Sequence, residues 1–170
     1  FEQVSLMVGR ICANGGKAGI RTILSAQDPD TIAHSKAGQQ ILQNLNTKLI
    51  GRIQGTAIAS FEKYLAIPQS LIRENASEGF FPNPHGMYSN WLLNDGGTYT
   101  RCRFYPSPIL LALTANNPDE QRARDSVMGH FEGRPLEGLA TFASLLTQAI
   151  QSGQRLETIV AEWQETSVSD

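Results

Sequence analysis

Asn94-Asp95-Gly96-Gly97 is the feature that most narrows what this 170-residue chain can become. It lies between Met87–Leu93 and Thr98–Tyr105, two strand-like runs. A two-residue hairpin turn needs positive φ at its centre, which Gly and Asn adopt readily, so the segment predicts an antiparallel β-hairpin. An isolated hairpin is marginal in water, so the rest of the chain must supply a core for it. With 41% hydrophobic and 18% charged residues the chain has the means, and its length fits one domain of ordinary globular composition.

Upstream, Val4, Met7, Val8, Ile11 and Cys12 recur at helical spacing, predicting an amphipathic helix over 3–15 that Asn14-Gly15-Gly16 stops. Ile20 to Ala26 reads as a short apolar strand. Asp28 and Pro29 then supply an N-cap and a first helical residue. That helix carries Ile32, Ala33, Ile41, Leu42 and Leu45 and ends near Asn46, and Lys48 to Ile53 reads as a second strand. Strand, helix, strand in this span predicts a βαβ unit with parallel pairing. Residues 57–78 read as two short helices broken at Pro68, and 80–84 as a turn-rich link. Asn117-Pro118-Asp119-Glu120 opens a helix with a capping-box pattern. Pro135 and Gly153 bracket another, and Leu156, Ile159, Val160 and Trp163 line a last, giving a helical hairpin at the end. The fold class expected is α/β with an added helical end.

The formal charge of −2 excludes a global basic field that would draw the chain onto nucleic acid. Cys12 and Cys102 are far apart, and His34, His85 and His130 are scattered, so neither a zinc site nor a disulfide framework is expected, as suits a reducing cytoplasm. No apolar run reaches the ~20 residues of a membrane span and no signal peptide is visible, so a soluble chain is expected. A first residue of Phe1 rather than methionine reads as a piece of something longer.

Gly15-Gly16-Lys17 fails as a phosphate-binding loop: Ala18 follows the lysine where Ser or Thr would hold magnesium, and helix precedes strand instead of the reverse. Gln27 ends the strand 20–26. Ligands of open parallel sheets bind beyond the carboxyl ends of strands, and an amide there can hold a water or a γ-phosphate oxygen; the plain alternative is a strand-end residue at the next helix start. Arg10, Lys17, Arg21 and Arg52 are cations near element ends, a position from which a ring ATPase can reach a neighbour's nucleotide, although solvation is the common fate of such side chains. Arg101 and Arg103 share one face of the hairpin's second strand, where they guard an edge or touch phosphate. The acids 119, 120 and 125 beside Arg122 and Arg124 read as a solvated helix face. Hydrolase elbows, zinc-protease motifs and CxxC pairs are absent from the sequence.

The run Gly16-Lys17-Ala18-Gly19-Ile20-Arg21-Thr22-Ile23-Leu24-Ser25-Ala26-Gln27-Asp28-Pro29 resembles the helix-to-strand passage of the FtsK-HerA superfamily, hexameric motors that pump DNA or drive secretion. That passage reads basic residue, small residues, Gly, apolar strand, then Ala-Thr-Gln; here Ser25-Ala26 replace the Thr and Gln27 is retained. Asn44 to Ile50 is similar to the family's N-x-x-T-K/R segment, and Gly86 to Tyr105 to its Gly-led hairpin. The segment from Pro108 to Glu120 looks closest to the conjugative-transfer ATPases of type IV secretion. The resemblance spans roughly residues 1–130.

It implies the C-terminal part of a RecA-like parallel sheet with a β-hairpin over 1–133, followed by a helical extension over 134–170. It also implies a P-loop ATPase parent, bacterial and plasmid-borne, binding ATP and Mg2+, with Gln27 as sensor and cofactor contact. The Walker A loop and the Asp-Glu strand would lie upstream of Phe1, so the chain alone is expected to bind neither ATP nor Mg2+ and to be inactive. The family's trans-acting arginine falls at Gly16, leaving Lys17 or Arg10 as substitutes. Partners implied are further copies in a hexamer, the conjugation or secretion machinery, and DNA, in the cytoplasm at the inner face of the cell membrane. The alternatives are a non-catalytic interaction module built on a degenerate ATPase half, and an FtsK-like DNA translocase.

Overall fold

The computed structural model describes residues 2 to 167 and is mixed α/β. Two compact units are present: residues 1–81 with 89–103, and residues 82–88 with 104–170. Their outline differs from the expected division at 133/134, because the helices before and after that point share one core.

In the first unit, helix α1 (Glu2–Asn14) runs into a 3-10 turn over Gly15–Ala18. Its Gly9 lies so close to Ala37 that an added Cβ would come within 2.6 Å of the Ala37 Cβ, so small residues set this helix crossing. Lys36 pairs with Glu2 at 2.5 Å, and the Ser5 hydroxyl accepts from the Ala37 N–H, fastening the same contact. The start at Asp28 is as expected: its carboxylate accepts from Asp30 N–H at 2.8 Å and Pro29 opens α2 (Pro29–Ala33). The single helix expected through Asn46 is instead two, because the chain turns at residues 34–37 before α3 (Gly38–Asn44). At Gly38 a Cβ would sit 2.2 Å from the Ile32 carbonyl oxygen, so only glycine fits this turn.

Strand β1 (Thr47–Ile50) is followed by α4 (Ile58–Leu65) and α5 (Gln69–Asn75), separated at Pro68 as expected. The hairpin consists of β2 (Ser89–Asp95) and β3 (Thr98–Phe104), turning through Gly96 and Gly97 at φ 58° and 93°. The sheet is antiparallel in the order β1-β2-β3, with Thr47 opposite Asp95 and Ile50 opposite Leu92. This corrects the expected parallel βαβ pair: β1 pairs with the hairpin, and residues 20–26 join no strand. Ile50, Phe61, Ile67, Ile72 and Leu92 form the core between this sheet and helices α4 and α5.

The second unit is helical: α6 (Pro108–Thr114), α7 (Pro118–Gly129), α8 (Pro135–Ser152) and α9 (Leu156–Ser167). Asn117 caps α7 as expected, its side chain accepting from Asp119 N–H at 3.0 Å, and Ser107 caps α6 likewise. Val127, Phe142, Leu146, Ile159 and Val160 fill its core. Trp163 of α9 stacks on Phe131, which closes the helical hairpin read from the sequence against α7. Among the described residues no helix is long and apolar enough to cross a membrane.

Candidate functional site

The segment from Ile20 to Gln27 carries the candidate site. Ile20 donates its N–H to the Gly15 carbonyl at 2.8 Å, which turns the chain out of the 3-10 turn. From there to the cap at Asp28 the backbone runs without helix or strand, and no backbone hydrogen bond is made by residues 21–27 among the described residues. The segment is nevertheless apolar. Ile20 is 50% exposed and Ile23 95%, while Leu24 is also exposed. Unpaired peptide groups beside exposed β-branched side chains are what a sheet strand presents before its neighbours are added.

One neighbouring surface is present. Thr22, Ile23, Leu24 and Ala26 line a groove of about 390 Å3 together with the four residues of β1. Because β2 holds only one side of β1, the other edge of β1 is open. Leu49 on that strand is 58% exposed. Lys48 also lines the groove; it alternates with Leu49, is half-buried, and donates from Nζ to the Leu45 carbonyl at 2.5 Å. Removal from water pulls its ammonium below the usual lysine value, because burial disfavours the charged form.

Gln27 stands at the end of this segment, exposed, at a bend just before α2. Lys17 lies exposed in the 3-10 turn and Arg10 exposed on α1. No hydrogen bond or ion pair joins Gln27, Lys17 and Arg10 among the described residues, so the three are not assembled into one constellation here. Arg21 is exposed on the extended segment, Arg101 is taken up by Glu74, and the Arg52 guanidinium lies over the Phe81 ring at 3.7 Å. Among the described residues no group of three His, Cys, Asp or Glu side chains is placed to hold a metal ion.

Two features of the site escaped the sequence reading. Lys48 was visible only as part of a motif; its alternation with Ile50 on one face of β1 was the signal that it turns inward. Asn75, fully buried, ties the end of β1 to α5, and a lone asparagine near a helix end gives no such signal. No family model, curated protein or solved structure matches the chain.

Proposed function

We propose that this chain is part of an ATP-driven motor of the conjugative DNA-transfer or type IV secretion kind, with Gln27 as its γ-phosphate sensor. The observation that carries the reading is the extended, apolar and unpaired segment 20–26 ending at Gln27. Ile20, Thr22, Leu24 and Ala26 fall on one face of the segment and Arg21, Ile23 and Ser25 on the other, so one face is apolar throughout and the second carries Ile23 at its centre. A RecA-like parallel sheet would use this segment as a strand and place Gln27 at its carboxyl end, where nucleotides bind in such folds. The open edge of β1 along the shared groove fits the same arrangement. ATP and Mg2+ would be held by a phosphate-binding loop elsewhere in the longer protein, and its copies would assemble as a hexamer.

The test is ATP turnover by the full-length product. Gln27→Ala should lower turnover by about ten- to a thousandfold with ATP affinity retained, as loss of a positioned phosphate contact does. Equal turnover in the variant removes the sensor; no turnover in the unaltered product removes the motor. Stimulation by DNA would favour a DNA-translocating member.

A second reading is an interaction module carried by the helical unit. It is motivated by an open groove of about 670 Å3 along α6 and α8, and by Leu136, which is 80% exposed at the start of α8. That reading gains if the full-length product never hydrolyses ATP.

A further inference from the structure

Three separate devices converge on the four residues that leave β1. The Asn75 side chain is fully buried, and its Nδ2 donates to two successive carbonyls, Ile50 at 3.0 Å and Gly51 at 2.9 Å. The Asn75 backbone carbonyl accepts from Ile53 N–H at 3.0 Å, so the chain is held on both sides of Arg52. The Asn75 Oδ1 is left buried without a partner, a cost that the fold accepts for fixing this short stretch. At Gly51 a Cβ would come 3.1 Å from the Trp91 ring, so the indole packs close against the bare backbone of the strand end. Ile53 is buried, and Arg52 between these anchors is exposed.

The side chain of Arg52 has an aromatic partner. Its guanidinium rests 3.7 Å from the centre of the Phe81 ring, itself 48% exposed. A ring face under the guanidinium carbon leaves the N–H groups free to meet an oxyanion, and an arginine fork can grip a phosphate with two parallel hydrogen bonds. No carboxylate among the described residues lies within ion-pair distance of it. Other arginines are spent differently. Arg101 meets Glu74, Arg122 meets Asp119, and Arg134, which also lies near a ring, meets Glu137 at 3.0 Å. Arg10 and Arg21 are exposed, and among the described residues no ring lies under either.

We propose that Arg52, resting over the Phe81 ring just beyond the end of β1, is a phosphate-binding residue of this chain. The ligand chemistry is a phosphate oxyanion, carried either by a free nucleotide or by a nucleic-acid backbone. This site goes beyond the motor reading and does not depend on ATP turnover.

The experiment uses the 170-residue chain with two probes at low salt. Binding of a fluorescein-labelled oligothymidylate is followed by anisotropy, and binding of ATP by titration calorimetry. At least one probe should bind, and Arg52→Ala should weaken it about tenfold, the size of one lost charge-assisted contact. For the oligonucleotide, the salt dependence should also fall by roughly one phosphate contact. Arg52→Lys should recover only part of the affinity, because a point charge replaces the planar fork. Circular dichroism should be unchanged in both variants. Binding of ATP alone assigns the nucleotide as source, and binding of the oligonucleotide alone assigns the nucleic acid. The proposal is overturned if neither probe binds, if Arg52→Ala binds like the parent chain, or if Arg21→Ala weakens binding as much as Arg52→Ala.

Discussion

The helical unit and the α/β unit treat their apolar residues differently. In the helical unit, α7, α8 and α9 turn their periodic side chains inward, and Phe142, Val127 and Ile159 are essentially withdrawn from water. In the α/β unit, the sheet and helices α4 and α5 close just as well over Ile67, Ile72 and Leu92. The same unit leaves Val4, Met7, Ile20, Ile23 and Leu24 exposed along its first twenty-four residues. Hydrophobic burial is proportional to apolar area removed from water, so these residues contribute little to stability as they stand. Under the motor reading these exposed residues would be covered by a neighbour that the described residues do not supply.

The largest effect is expected where burial is complete. Phe142→Ala should cost about 3–5 kcal/mol, read as a lower denaturant midpoint at an unchanged slope. A cost near zero would break the contrast between the units. Ile23→Ser sharpens it from the other side. In this chain the change should fall within about 0.5 kcal/mol, because the side chain is already in water. In a full-length motor with the segment buried as a strand, it should cost on the order of 2 kcal/mol or more. Equal small costs in both proteins would show that nothing covers the segment.

A smaller effect is expected at Ala66, which ends α4 at φ 52°. A left-handed C-terminal residue is normally glycine, so Ala66→Gly should stabilise the α/β unit by roughly 0.5–1 kcal/mol, measured by thermal unfolding. The smallest belongs to Lys48. Its folded-state pKa lies below the unfolded one, so the unfolded chain binds more protons between the two values. Stability should therefore rise slightly with pH through that alkaline window and not below it. Lys48→Met should abolish this rise in a titration of unfolding midpoints.

What the sequence made legible was local. Asp28-Pro29 and Asn117-Pro118 announce helix starts through their own side chains, and Gly96-Gly97 announces a turn through backbone freedom, so each is readable without knowing its surroundings. Pairing was not legible. Whether Ile20 to Ala26 becomes a strand depends on what lies beside it, and the antiparallel partner of β1 lies beyond two intervening helices. The turn at 34–37 was hidden because Ala33 and Ile41, eight positions apart, keep helical spacing across it. Helix α6 carries Ile109, Leu110, Leu111 and Leu113 in a nearly continuous apolar run, which offers no period to read. Of the candidate site, the position of Gln27 was legible, whereas the inward lysine and the buried amide of Asn75 emerged only from packing.

The pairing of β1 with the hairpin also sets an order of events in time. Strands β2 and β3 are joined by a turn that can close within microseconds. Thr47 must find Asp95 across 48 positions before their side chains can meet at 2.7 Å, and the Gly96 N–H must find the Asn46 carbonyl across a similar span. The entropy of closing that loop is lost before any contact of β1 repays it. The hairpin therefore waits for its third strand, and until β1 arrives, the edge of β2 that pairs with it is exposed to any other extended segment nearby.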